Sequence, residues 1–313
     1  MELSILLIEQ ILSLSLMVIM GFVIVRAGLL KTEQSSVLSI LTIYVITPCA
    51  VLVTFQEEIS SDKMTGLLVA LAVAAVFQPV FILLSTILGK LFHLTAVEKA
   101  TLIYPNNGNL LFPLIIALLG KEGLLYSLPM GILQIIYIWT HGLLLVGGAT
   151  SENRWKKILL NSSMISIIIG LFLFIFQIKL PPLLYNTAET IMNTMGPICM
   201  FAIGMVMGGL DLKKVFSKKR LYFICAGRLL LCPLIFIAIF AMSGLRKLGG
   251  DVEAVLLITV MAAGAPAATM ISQFANLYGS SEDAADTNAL NVMTTLLCVI
   301  TMPLMIMLYQ LVC

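Results

Sequence analysis

The chain has 313 residues, 60% of them hydrophobic and 11% charged, and a mean hydropathy of +1.08. Soluble domains run near 45–50% apolar and about 25% charged residues, so that class is excluded. Lys and Arg number 18 against 16 Asp and Glu, for a net charge of +2 without a long block of one sign, which excludes a nucleic-acid surface and a charged tail. A helix crossing about 30 Å of hydrocarbon needs roughly 20 apolar residues, so the length suits about ten spans with little mass outside the bilayer.

Apolar windows fall at 4–25, 35–55, 65–89, 97–119, 123–147, 158–178, 187–210, 221–243, 253–277 and 287–311, predicting ten membrane helices. The first window contains Glu2 and Glu9 and has no basic stretch ahead of it, so it reads as a span and not as a cleaved signal peptide. Short polar connections separate the windows, among them 31–33, 57–63, 121–122, 151–157, 211–220 and 246–251. The connections after the odd-numbered spans carry twelve Lys and Arg, and those on the other face carry five. Basic loops stay cytoplasmic, which predicts a multi-pass protein of the cell membrane with both termini on the extracytoplasmic side. Arg228, inside span 8, is expected to snorkel to the cytoplasmic surface. The six cysteines stand singly, without CxxC spacing, and read as packed thiols.

The helix breakers of the two halves answer one another. Pro48 pairs with Pro197, Pro79 with Pro233 and Pro105 with Pro266, at separations of 149, 154 and 161 residues. Five spans are an odd number, so a second copy enters the membrane from the opposite side. The predicted fold class is all-α, a polytopic membrane protein of ten transmembrane helices in two inverted five-helix repeats, residues 1–150 and 151–313. Spans 4 and 9 are both interrupted near their middles, by Tyr104-Pro-Asn-Asn-Gly-Asn109 and by Ala262-Ala-Gly-Ala-Pro-Ala-Ala-Thr269.

Paired interruptions of this kind point to a transport site. Proline lacks an N–H and clashes with the carbonyl one turn back, so each break frees polar backbone groups that must find partners in hydrocarbon. Where half-helix N-termini meet, unpaired N–H groups and partial positive charge suit an anion such as a carboxylate. The candidate substrate-binding residues are Pro105, Asn106, Asn107 and Asn109 in span 4, with Gly264, Pro266, Thr269 and Gln273 in span 9. The asparagines also have a plainer role open to them, satisfying their own broken helix. His141, beside Trp139 and Thr140, is a candidate proton relay, and Asp286, Asn288 and Asn291 at the start of span 10 form a candidate coupling-ion or proton site. For Asp286 the alternative is a helix-start acid. Gln78 and Gln134 are expected to bond between helices.

No HExxH, GxSxG, Walker loop or Cys/His cluster occurs, so neither enzyme chemistry nor a bound metal or cofactor is expected. The segments Tyr104–Pro113, Ala265–Gly279 and Thr301-Met-Pro303 resemble the auxin efflux carrier family, and the length, span number and proline placement follow it along the whole chain. The resemblance implies a homodimeric carrier of small organic anions, auxin-like compounds or dicarboxylates, related in architecture to bile-acid symporters and sodium/proton antiporters. It implies a scaffold from spans 1, 2, 6 and 7, a mobile transport domain from spans 3–5 and 8–10, and a role for Asn106 in holding the substrate carboxylate. The connection between spans 5 and 6 is short, as in the bacterial branch, which puts auxin itself in doubt as the substrate. A sodium-coupled symporter and a ligand sensor that transports nothing are the competing readings.

Overall fold

A computed structural model describes residues 2–56, 61–147, 160, 162–209, 216–249 and 251–313, the side chains of 2–8, 10, 11, 61, 62, 109 and 247 excepted. It is nearly all helical. Among the described residues six helical runs are long and apolar enough to cross a membrane: Thr32–Thr54, Lys63–Phe92, Phe112–Gly147, Pro182–Gly208, Lys219–Ser243 and Ser281–Val312. Shorter apolar helices cover Leu12–Arg26, Ser162–Ile175 and Val252–Ala263. Large apolar side chains such as Leu68, Leu83, Leu91, Leu183 and Met242 are exposed along these runs, as hydrocarbon contact requires. The protein is a polytopic membrane protein.

The windows at 97–119 and 123–147 are divided differently from the expectation. Helix Ala96–Ile103 stops, the chain re-enters through a wide π turn at Asn107–Leu111, and Phe112–Tyr137 follows. Within that last run Gly120 has φ 66° and ψ −165°, a conformation that side-chain-bearing residues rarely adopt, so one helix ends there and the next begins. The last helix starts at Ser281, not 287, because Ser280 caps it: its hydroxyl accepts from the Asp283 amide at 3.1 Å, and Asp283 accepts in return from the Ser280 amide at 3.1 Å. The helix-start acid is therefore Asp283, and Asp286 lies within the helix.

Three of the four π turns among the described residues, Thr42–Ile46, Asn107–Leu111 and Gly227–Leu231, lie two residues ahead of a proline: Pro48, Pro113 and Pro233. The wider turn accommodates a ring that cannot donate and that crowds the carbonyl behind it. Pro79 and Pro303 instead sit inside continuous α-helices. Pro79 and Pro233 thus occupy different local structures.

The chain forms two compact units, each drawing on both halves of the sequence. The first comprises residues 1–64, 108–128 and 159–212. In it Glu2–Arg26 packs along Met195–Gly208, backbone against backbone. A Cβ on Gly204 would lie 2.0 Å from the Val18 carbonyl oxygen, and one on Gly208 would lie 2.9 Å from that of Phe22. Two glycines four residues apart leave a groove into which the other helix settles, a common membrane-helix contact. The second unit comprises residues 65–107, 129–158 and 213–313. Its apolar core includes Phe77, Phe81 and Phe236, with ring centroids 4.6–5.5 Å apart.

Candidate functional site

Residues 104–107 of the first interruption and the whole of the second, 262–269, lie in the second unit. Helix Ala96–Ile103, opened by the reciprocal Thr95 and Glu98 cap, gives way at Tyr104 to extended backbone (φ −105°, ψ 109°). Helix Val252–Ala263 ends at Gly264, and Thr269–Tyr278 resumes after Ala268, which is also extended. The two stretches pair as a single antiparallel bridge between Pro105 and Ala267. The Asn106 amide donates to the Pro266 carbonyl at 2.8 Å, and the Ala268 amide to the Tyr104 carbonyl at 2.9 Å.

Burial in hydrocarbon demands donors for the carbonyls freed at the breaks, and eight of them have one. Those of Tyr104 and Pro266 are used in the bridge. Gln134 Nε2 donates to the Pro105 carbonyl at 2.6 Å, and Asn291 Nδ2 to that of Ala267 at 3.0 Å. The Cys298 thiol reaches the Gly264 carbonyl at 3.6 Å. The Ala267 amide donates to Thr294 Oγ1 at 3.0 Å.

The remaining carbonyls belong to Arg228. Its Nε donates to Ala265 at 2.9 Å, one terminal nitrogen to Leu102 at 3.0 Å and the other to Ala262 at 3.1 Å, and its guanidinium lies 5.3 Å from the Phe81 ring centroid. Leu102 and Ala262 are in the last turns of the two helices that stop at the breaks, where carbonyls are orphaned and the dipole favours a cation. Arg228 is 0% exposed, so the expected snorkelling does not occur. The carbonyls hold it inside because together they replace water.

Among the described residues the buried charged side chains are Arg228 and Glu98. Glu98 is paired with Arg220, whose second nitrogen approaches it at 2.9 Å. Arg228 has no carboxylate partner among the described residues.

Of the residues expected at the site, Pro105, Asn106, Asn107, Gly264, Pro266 and Asn291 come together around the bridge. Asn106 and Asn107 are buried, and Asn107 donates to Gln134 Oε1. Thr269 opens the second half-helix, half-buried, and Gln273 one turn on is exposed. The Asn109 side chain lies outside the described residues. His141 joins through Tyr104, whose hydroxyl lies 2.8 Å from His141 Nδ1 and also donates to the Tyr137 carbonyl at 3.1 Å. Asp286 and Asn288 are engaged elsewhere, with Lys218 and with Asn276 respectively, and neither hydrogen-bonds at the breaks. Gln134 makes the bonds expected of it. Gln78 does not, being buried with neither amide atom partnered. Thr294 and the clamping role of Arg228 were not foreseen, since backbone carbonyls carry no side-chain signature.

A family model described as "Membrane transport protein" matches residues 6–154 and 148–306. The chain belongs to this family, that of the auxin efflux carriers. An uncharacterized transporter of Methanocaldococcus jannaschii is 24% identical over 221 residues, covering 66% of this chain and 70% of that protein. The transporter's two family matches meet at 148–154, in the connection that divides the two halves of its sequence.

Proposed function

We propose that the transporter is a secondary carrier of a small organic anion, a carboxylate of the auxin-like or dicarboxylate kind, working by alternating exposure of the two paired breaks to either side of the membrane. The single observation that carries this reading is the pairing of both interrupted helices around Arg228, a buried cation with no carboxylate to neutralise it among the described residues. In a medium of low dielectric constant such a charge favours a negative guest, and intramembrane ionisable groups mark transport paths.

The wider reading has ten spans in two inverted five-helix repeats with both termini outside. Its scaffold and transport domain take their support from the two units, since windows 1, 2, 6 and 7 fall mainly in the first and windows 3, 8, 9 and 10 mainly in the second. Residues 108–128 depart from that division.

The test is flux of labelled carboxylates in proteoliposomes, with and without imposed proton and sodium gradients. Wild-type protein moves the anion, and Asn106→Ala lowers the rate at least tenfold while eluting and melting as folded protein. Binding without flux would make the protein a sensor, and an unaltered Asn106→Ala rate would remove that residue from the site. Flux that requires sodium would favour the symporter reading.

A further inference from the structure

The side chains beside the first break carry information about the guest's chemistry. The Pro105 carbonyl can only accept, so the atom of Gln134 facing it at 2.6 Å is the amide nitrogen. This turns Gln134 Oε1 toward Asn107. An amide oxygen also only accepts, so Asn107 must present its nitrogen to it. The orientation of both amides is thus fixed by a carbonyl of the main chain, and neither can flip without setting acceptor against acceptor.

What remains is Asn107 Oδ1, which is buried and has no partner. It cannot offer a proton, and a carboxylate brought against it would meet only its repulsion. A buried acceptor left empty is costly, and a ligand's O–H or N–H would recover that cost.

We infer that Asn107 Oδ1 is a specificity site that receives a hydrogen-bond donor of the substrate. The transported anion then belongs to the class of carboxylates that carry a hydroxyl or N–H group in addition to their charge. The charged end answers the field of Arg228, and the donor end answers Asn107. This rests on the anion-carrier reading and narrows it. A site that must satisfy a donor discriminates strongly against the analogue lacking it, because the acceptor is then buried empty.

The experiment uses matched pairs differing in one donor, lactate against propionate and malate against succinate, in proteoliposome uptake by the wild-type chain. The expected result is a kcat/KM at least about tenfold higher for the hydroxylated member of a transported pair, with Asn107→Leu bringing the two members to within about twofold. Equal wild-type transport of both members overturns the inference and leaves the carrier reading standing. A preference that persists undiminished in Asn107→Leu also overturns it. Absence of flux for every carboxylate tried overturns both readings. The wild-type comparison decides even where the variant does not fold.

Discussion

The helix pair of the first unit and the paired breaks of the second treat the same difficulty, polar backbone in hydrocarbon, in opposite ways. Along Glu2–Arg26 and Met195–Gly208 each helix keeps its own hydrogen bonds, and glycines let the two backbones touch. The contact is made by backbone and small residues, with no backbone group given up to it. At the breaks the helices stop early, and their unfinished groups are completed by Arg228, Gln134, Asn291, Thr294 and each other. That arrangement costs conformational freedom in many side chains, but it concentrates donors and acceptors at one place. Rigidity comes from the first solution and chemistry from the second.

The comparison is broken most severely by Gly204→Leu. With a Cβ forced to within 2.0 Å of a backbone carbonyl that cannot give way, the helix pair must separate, at a cost of at least about 3 kcal/mol. Little monodisperse protein is expected from detergent-phase size exclusion, and a wild-type melt would show that the backbones do not approach so closely. Next comes Arg228→Met, which takes a charged donor from each of three buried carbonyls and leaves that of Ala265 without one, and it is expected to cost roughly 3 kcal/mol in thermal unfolding. Arg228→Lys keeps the charge but not the fork that spans three acceptors, so a smaller loss of stability with anion preference retained sharpens the split between charge and geometry. Smallest is Thr294→Val, which keeps the shape and removes the acceptor of the Ala267 amide. A loss of about 1–2 kcal/mol is expected, with flux reduced more than substrate affinity.

The location of the breaks was legible in the chain, because Pro105-Asn-Asn-Gly and Gly264-Ala-Pro-Ala are clusters that no continuous apolar helix would choose. What closes them was largely not. Arg228 looks like any lone arginine near a span end, and its partners are main-chain oxygens 34 to 126 residues away in sequence. Thr294 bonds back to the Leu290 carbonyl at 2.7 Å, as membrane threonines commonly do, and only the fold reveals its second duty. The Gly204 and Gly208 spacing and the Ser280 cap were both readable, yet each is short enough to be lost in so apolar a chain. Asp286 drew attention as an acid in a membrane helix, but an earlier helix start brings it to Lys218.

Arg228 is the second residue of the π turn Gly227–Leu231. Such a turn winds one surplus residue into the rise of an ordinary coil, so whatever follows is out of phase by about 100° with what precedes. Sequence distance and angular direction are therefore uncoupled at this point. Excising a single residue from the turn would leave the span long enough for the bilayer while swinging the guanidinium off its three oxygens, and a relative lacking the surplus residue would carry an aligned arginine that looks the wrong way.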